Sequence, residues 1–302
     1  MIDVTLAGTG GMLPMKHRWL TSCYISCNGQ SMLIDTGEGT QIALKYAECH
    51  LSHISVICIT HFHADHISGL VGLLLSIGNE GRTQPVTIIG PKGLRRIVHS
   101  LCVIAPHLPF PIELEEIGGS SVYRCGKLQI TPFRVQHGVP CYGYTIELPR
   151  AGKFYPEKAK ANGVPLPVWS ALQKQPEAVW EGKVYTQDMV LGPPRRGLKL
   201  TYCTDTRPCD SIVEAAENAD LFICEGLYYE PDKLSRAKET HHMLFQEAAA
   251  LAQKSGAKEL WLTHFSPAVS APEEGLPLAR EIFPQTFCGT DGRKTTLYFP
   301  ES

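Results

Sequence analysis

Four residues of metal-binding type lie close together near the end of the first fifth of the chain. They are His61, His63, Asp65 and His66. A divalent ion is bound by imidazole nitrogens or carboxylate oxygens at about 2 Å, and an extended chain directs alternate residues to the same side. We therefore expect His61 and His63 to share one ion, while Asp65 and His66 lie beyond a turn and face a second. One isolated histidine is more often a packed or surface residue, but this spacing predicts a site for two metals.

Two adjacent ions suit the cleavage of a phosphodiester. At a separation of about 3.5 to 4 Å they together deprotonate a bridging water and stabilise charge on the phosphoryl oxygens. Such a pair needs further ligands, one of which bridges the ions. The candidates are His137, Asp205 and His264. From the residues alone, each has an alternative role. His137 could be a turn residue, Asp205 could cap the segment near Ser211, and His264 could be a buried structural histidine.

The candidate ligands follow segments of strand character. A β-branched apolar run over 56–60 predicts a buried strand that ends where the histidines begin, and apolar residues over 67–75 keep helical spacing. Residues 198–202 and 260–263 also have strand patterns, and a candidate ligand follows each. Strand-to-helix junctions commonly carry functional sites, so these elements are expected to bring the ligands together.

Residues 149–194 interrupt this alternation of strands and helices. The segment is rich in proline and contains basic residues such as Lys158, Lys160 and Lys174. That composition is typical of a mobile or extended arm rather than of a core. We expect a single domain over 1–302 with a flexible arm inserted at about 149–194.

The overall composition is that of a globular enzyme, with 43% hydrophobic and 19% charged residues. The formal net charge of −2 gives no general attraction for a polyanion, so an RNA-binding surface would need locally gathered basic residues. Eleven cysteines without a C-x-x-C pair favour reduced thiols. Since no signal peptide or membrane-spanning run is evident, we expect a soluble, cytoplasmic protein that does not associate with membranes.

Four motifs, taken in order, resemble those of the metallo-β-lactamase superfamily and, within it, of short-form ribonuclease Z. They are H-x-H-x-D-H at 61–66, a histidine before a glycine- and tyrosine-rich strand at 137–144, an aspartate-threonine segment at 204–208 and a histidine within 262–266. The resemblance covers nearly all of the chain. It implies an α/β (α+β) fold, the metallo-β-lactamase αββα four-layer sandwich.

The same resemblance implies a complete set of metal ligands. One metal would be held by His61, His63 and His137, the other by Asp65, His66 and His264, and Asp205 would bridge them. The implied cofactor is two Zn²⁺ per subunit, although a nitrogen and oxygen ligand set also accepts Mn²⁺ or Fe²⁺.

Ribonuclease Z is an endoribonuclease, and the resemblance therefore implies that precursor tRNA is the substrate. Cleavage would remove the 3′ trailer, leaving a tRNA 3′-hydroxyl and a 5′-phosphorylated trailer. Asp65 would act as ligand and general base, and His242 would protonate the departing 3′-oxygen. The basic residues implied to contact tRNA, in the N-terminal loop and at the end of the arm, are Lys16, Arg18, Arg195 and Arg196. Members of this family usually form homodimers in which the arm of one subunit serves the active site of the other.

The chain departs from the family pattern at two places. Trp19 stands where an asparagine often follows the loop arginine. Met243 and Leu244 follow His242 where the family has a His-Ser-Thr motif, and the neighbouring His241 is a competing candidate for the role of proton donor.

Three alternative functions stay open. The first is a hydrolase of the same fold that acts on a small phosphodiester, cyclic nucleotide, sulfate ester, lactam or thioester, against which the arm and the Arg18 loop argue. The second is a non-catalytic RNA-binding module, against which the complete ligand set argues. The third is a structural zinc protein, but seven ligands for two ions leave room for a water.

Overall fold

The computed structural model describes residues 1–119 and 121–300, and residues 120, 301 and 302 of the expected domain lie outside that description. The chain forms two compact units. The larger comprises Met1–Glu147 and Lys199–Tyr298, and the smaller comprises Leu148–Leu198 with the described residues from Phe299 onwards. Within the described ranges, no helix has the length and apolar character needed to cross a membrane.

The first sheet of the larger unit has seven strands, numbered here in chain order. They are β1 (Ile2–Gly8), β2 (Ser22–Cys27), β3 (Gln30–Ile34), β4 (Ile54–Cys58), β5 (Val86–Gly90), β6 (Ile112–Glu116) and β16 (Lys294–Leu297). Their order in the sheet is β16-β1-β2-β3-β4-β5-β6. Strands β3 and β4 are parallel, with Ile34 opposite Cys58. Residues that follow these two strands therefore emerge at the same edge of the sheet.

The second sheet also has seven strands. They are β7 (Tyr123–Cys125), β8 (Leu128–Arg134), β9 (Tyr142–Arg150), β12 (Arg195–Cys203), β13 (Leu221–Glu225), β14 (Leu260–Thr263) and β15 (Thr286–Cys288). Their order is β15-β14-β13-β12-β9-β8-β7. Strands β12, β13 and β14 are parallel neighbours, with Cys203 opposite Cys224 and Glu225 opposite Thr263. The carboxyl ends of these three strands thus meet at one edge.

Helices cover the outer face of each sheet. In the larger unit they are α1 (Thr40–Tyr46), α2 (Ala64–Ile67), α3 (Leu70–Asn79), α4 (Leu94–Leu101), α7 (Asp210–Ala215), α8 (Leu234–Glu239), α9 (Phe245–Ser255) and α10 (Leu276–Arg280). Short 3₁₀ turns occur at Leu51–His53, Cys102–Ile104, Gln187–Met189, Pro231–Lys233 and Pro272–Gly275.

Separate apolar layers form because side chains alternate across each strand. Leu33 of β3 packs in one buried cluster with residues of α3 and α4, while Phe222 of β13 packs in another with residues of α9 and α10. The opposite faces carry further buried residues such as Met32. The two sheets are joined where the buried Tyr144 hydroxyl donates to the Ile59 carbonyl oxygen at 2.7 Å. The predicted αββα sandwich is confirmed.

The smaller unit has its own secondary structure. Its elements are α5 (Pro156–Ala161), α6 (Leu166–Leu172), β10 (Glu177–Trp180) and β11 (Lys183–Thr186), the last two forming an antiparallel hairpin. Val168, Leu172 and Val190 are buried in a small cluster. The segment is therefore not fully extended, and its flexibility as an arm stays a prediction. Pro156 and Pro167 occupy the first turn of α5 and α6, where a missing backbone N–H costs nothing.

Candidate metal centre

All seven predicted metal ligands lie just beyond the carboxyl ends of strands. His61 and His63 follow β4 in an extended segment, and Asp65 and His66 lie in the short α2 behind it. The other three, His137, Asp205 and His264, follow β8, β12 and β14. Since these strands open on one edge of the sandwich, residues distant in sequence come together.

The first group of ligands consists of three histidines. His61 Nε2 lies 2.9 Å from His63 Nδ1, and His137 Nε2 lies 3.3 Å from the same atom. Together with one carboxylate oxygen of Asp205, these nitrogen atoms lie within 4.8 Å of one another. The predicted pairing of His61 with His63, completed by His137, thus has a geometric basis.

The second group lies on the other side of Asp205. His66 Nε2 and His264 Nε2 are 3.3 Å apart. Asp65 Oδ2 lies 3.5 Å from His66 Nε2 and 3.4 Å from His264 Nε2. These three residues can hold a second ion.

Asp205 lies between the two groups and is 2% exposed. Its Oδ1 is 3.2 Å from Nε2 of both His66 and His264. Its Oδ2 is 3.6 Å from His61 Nε2 and 3.9 Å from His137 Nε2. One carboxylate therefore turns a different oxygen toward each group, which is the arrangement that a bridging ligand requires.

The protonation states fit a cation. Burial lowers the pKa of His61 to about 2, which keeps its imidazole neutral and its lone pair available. Although burial opposes it, neighbouring histidines hold the pKa values of Asp65 and Asp205 below their usual range. Within residues 1–119 and 121–300, no lysine or arginine forms an ion pair with Asp205. Although burial opposes it, Asp205 and Asp35 hold the pKa of His66 well above its usual value, so this ring must release a proton to bind a metal. The ionised carboxylates and the neutral His61 ring suit a divalent metal ion as they stand.

Asp35, which the sequence analysis did not single out, orients part of this centre. It follows β3, is fully buried and accepts a hydrogen bond from His66 Nδ1 at 2.8 Å. It also accepts bonds from the backbone N–H of Thr60 at 2.8 Å and from the Thr60 hydroxyl. A carboxylate behind a histidine fixes which ring nitrogen faces the metal and makes it more basic. Asp35 thus directs Nε2 of His66 toward the centre.

Glu225 is the second residue that the sequence analysis missed. It ends β13, is fully buried and accepts a hydrogen bond from His242 Nδ1 at 3.0 Å. The His242 ring stacks on the ring of His264, and its Nε2 lies 4.0 Å from Asp205 Oδ2. Burial alone would lower the pKa of His242, but the Glu225 carboxylate raises it to about 9. The raised pKa favours the protonated ring, whose Nε2 lies beside the candidate metal centre.

The segment around His242 is fixed from both sides. Arg207 donates to the His242 carbonyl oxygen and forms an ion pair with Glu247. Glu247 accepts the Leu244 N–H at 2.9 Å, at the start of α9. The His241 side chain is exposed, whereas the side chain of His242 is mostly buried. Of the two histidines, only His242 lies among the ligand atoms.

The N-terminal loop reaches the same centre. The N–H of Met12 donates to Asp65 Oδ2 at 2.7 Å. A Cβ atom on Gly11 would lie 2.6 Å from the His264 ring, so only glycine fits here without displacement. Arg18 donates to the carbonyl oxygens of Val269 at 2.8 Å and of Ser270. The loop is thus anchored against the second ligand group.

The predicted tRNA-contacting residues differ in their surroundings. Lys16 is exposed, and the Arg18 guanidinium already holds the segment after Phe265. Arg195 and Arg196 belong to the smaller unit, where Arg195 Nε donates to the Ala151 carbonyl oxygen at 3.0 Å. Their contact with tRNA stays a prediction.

Comparison with known proteins identifies the family. Residues 2–103 match the family model described as anti-Pycsar protein Apyc1, and residues 167–265 match the beta-lactamase superfamily domain. A curated protein of Agathobacter rectalis named Ribonuclease Z is 52% identical over 302 residues, which is 100% of both chains. The chain belongs to the ribonuclease Z family. A second ribonuclease Z, from Lachnoclostridium phytofermentans, is 53% identical over 303 residues and 100% of both chains.

The fold agrees with this ribonuclease Z assignment. The crystal structure of human tRNase Z, short form, superimposes with a TM-score of 0.71 at 24% identity, covering 98% of this chain and 100% of that chain. The resemblance inferred from the motifs is confirmed.

Proposed function

We propose that this member of the ribonuclease Z family is a metal-dependent endoribonuclease that removes the 3′ trailer from precursor tRNA. The observation that carries the chemistry is Asp205, whose two oxygens face two separate histidine groups. The curated relatives at 52% and 53% identity support RNA as the substrate, because both are named Ribonuclease Z. The products are a tRNA with a 3′-hydroxyl and a trailer with a 5′-phosphate.

The ligand assignment follows the two groups. His61, His63 and His137 would hold one ion, Asp65, His66 and His264 would hold the other, and Asp205 would bridge them. We assign zinc to both positions because imidazole suits zinc well, and Mn²⁺ or Fe²⁺ fits the same donors. When bound, the metals supply Lewis-acid stabilisation of the phosphoryl oxygens and activation of water.

Asp65 is the residue that orients the attacking water. Its low pKa keeps the carboxylate ionised, and the Met12 N–H occupies Oδ2. The remaining oxygen, Oδ1, is left to accept a hydrogen bond from the attacking water and so to orient it. The hydrogen bond from Met12 holds the carboxylate in place, so that this oxygen keeps its direction during the attack.

His242 supplies the proton for the leaving group. Its Nδ1 donates to Glu225, while Nε2 faces the centre near Asp205. With a pKa of about 9, the imidazolium is present at neutral pH and donates its Nε2 proton to the departing 3′-oxygen. Glu225 holds the ring in the orientation that this transfer needs.

The substrate contacts come from two parts of the chain. Lys16 and Arg18 in the N-terminal loop bind the RNA near the cleavage site, and the smaller unit, with Arg195 and Arg196, serves as the tRNA-binding arm. Phosphate contacts by such residues make the affinity dependent on salt. We further propose a homodimer in which each arm serves the partner's active site.

A defined precursor tRNA tests this function. Purified protein should cut it once at the junction with the trailer, and Asp65→Ala should lose nearly all turnover. Products with the expected 3′-hydroxyl and 5′-phosphate support the proposal. Wild-type turnover by Asp65→Ala would contradict the mechanism.

Deletion of the arm separates the alternatives. Gly152 and Gly192 approach so closely that a Cβ on Gly152 would lie 2.0 Å from the Gly192 carbonyl oxygen, so residues 153–191 can be removed by joining them. The deletion should abolish tRNA cleavage and spare hydrolysis of bis(p-nitrophenyl) phosphate. Equal tRNA cleavage would contradict the role of the arm. An intact chain that hydrolyses bis(p-nitrophenyl) phosphate but not precursor tRNA would favour a hydrolase of small substrates. An intact chain that binds RNA without cleaving either substrate would favour a non-catalytic module.

A further inference from the structure

A small cavity of about 210 Å³ lies beside His63 in the larger unit. Its walls are Phe62, His63, Pro91, Lys92, Val139 and Pro140. The cavity is smaller than the roughly 300–1,000 Å³ of pockets that enclose a drug-sized ligand. Its size therefore suits one flat ring system rather than a whole nucleotide chain.

The same segments that present metal ligands form this cavity. Phe62 lies between the candidate ligands His61 and His63 in the chain, and both Phe62 and His63 line the cavity. The Phe62 ring packs partly against the apolar core beneath. Val139 and Pro140 follow His137 closely. Any group bound here is a direct neighbour of a group held at the metal centre.

The residues that line the cavity suit an apolar ring that also has a hydrogen-bond acceptor or a negative charge nearby. The aromatic ring, the two prolines and the valine offer apolar surface, and no carboxylate contributes to the wall. Lys92 is exposed, and its ammonium has no hydrogen-bond or ion-pair partner in the described ranges. Glu116 Oε1 already accepts the N–H groups of Gly93 and Arg95, so the start of α4 offers no anion site of its own. Among the residues that line the cavity, Lys92 therefore supplies the one positive charge that is free to contact a ligand.

We propose that this cavity binds the unpaired base of a nucleotide next to the scissile phosphate. The base stacks on Phe62, and the Lys92 ammonium contacts an acceptor on that base or its phosphate. This inference rests on the proposed function, because the phosphate of the same strand lies at the metal centre. Every base has an aromatic face, so the subsite senses the presence of a base rather than its identity.

An abasic substitution in the substrate tests the proposal. Precursor tRNAs are prepared with an abasic nucleotide on one side of the scissile bond or on the other, and kcat/KM is compared with that of the intact precursor. For the wild-type protein we expect one of the two substitutions to cost roughly tenfold, the usual order for stacking of one base on an aromatic side chain. We call the kcat/KM of the intact precursor divided by that of the abasic precursor the abasic ratio. Phe62→Leu, which keeps an apolar side chain, should reduce this ratio to near one.

Three further variants and a control make the test specific. Phe62→Tyr retains an aromatic face and should retain the ratio, whereas Val139→Trp fills the cavity from an exposed position and should remove it. Tyr46→Leu changes an aromatic residue that is 79% exposed on α1, outside the cavity, and should behave as the wild type. Lys92→Met should raise KM for the intact precursor.

The possible results are distinguishable. A wild-type ratio near one at both positions overturns the subsite, as does an equal ratio in the wild type, Phe62→Leu and Val139→Trp. Cleavage of the intact precursor in those cases leaves the proposed function standing. Failure of the wild-type protein to cleave any precursor overturns the proposed function, and the subsite with it.

Discussion

Glu225 accepts a hydrogen bond from His242 Nδ1 at 3.0 Å, and both residues are buried. The carboxylate ends a central strand of the second sheet, while the histidine lies in the loop before α9. This pair determines both the orientation and the charge of the His242 ring. Because the ring also stacks on His264, the proposed proton donor is held at a defined position beside the second ligand group.

Replacement of Glu225 by glutamine should change the pH dependence of cleavage. In the wild type, the protonated form of His242 is present below its pKa of about 9 and is lost as the pH rises through that value. Without the carboxylate, burial remains and lowers the pKa, so the alkaline limb of kcat/KM should move to lower pH by more than one unit. A pH profile of precursor cleavage measures this shift. An unchanged alkaline limb would show that His242 is not the titrating acid.

Replacement of Asp35 by asparagine should weaken metal binding. Asp35 holds Nδ1 of His66, and loss of such an outer carboxylate typically costs about 10- to 100-fold in metal affinity. Competition with a chelator measures the affinity directly, without any assay of turnover. Asp210→Asn, an exposed change in the first turn of α7, is the matched control and should bind metal as the wild type does. Equal affinities for the two variants would refute the role of Asp35.

A methyl group at position 11 should disturb the metal centre. The Cβ of Gly11→Ala would lie 2.6 Å from the His264 ring, so either the ring or the loop must move. We expect kcat/KM for precursor cleavage to fall at least about tenfold, since small misplacements of reacting groups are costly. Gly118→Ala, where the added Cβ meets no atom within 4 Å, is the matched control. Comparable activity of both variants would contradict close packing of the loop on His264.

The candidate metal ligands could be predicted from two features of the sequence. H-x-H-x-D-H puts four of them within six residues, and the other three, His137, Asp205 and His264, each follow a strand in the structure as expected. Their binding of metal stays a prediction. The same argument applies to Asp35 and Glu225, since each is a carboxylate at the end of an apolar strand. Neither belongs to a recognisable motif, and their partners, His66 and His242, are distant in sequence. Only the folded chain shows the hydrogen bonds that give them their roles.

The arm shows where composition misleads. Proline-rich sequence indicated an extended segment, but Pro156 and Pro167 begin helices that bury apolar side chains. The tertiary contacts between α5, α6 and the segment near Val190 depend on residues far apart in the insert. For Arg18, the RNA contact that residue type indicates stays a prediction, while its hydrogen bonds to Val269 and Ser270, 251 and 252 residues away, could not be read from the sequence.

The most direct test measures metal content and trailer cleavage on the same preparations of wild-type and Asp205→Asn protein. Asp205 bridges the two ligand groups, so the wild type should contain two ions per chain and release the trailer. Asp205→Asn should contain fewer than two ions and lose cleavage by more than about 100-fold, because positioning and charge stabilisation both depend on the ion pair. Wild-type cleavage by Asp205→Asn, or full activity of wild-type protein that contains almost no metal, would contradict the two-metal account.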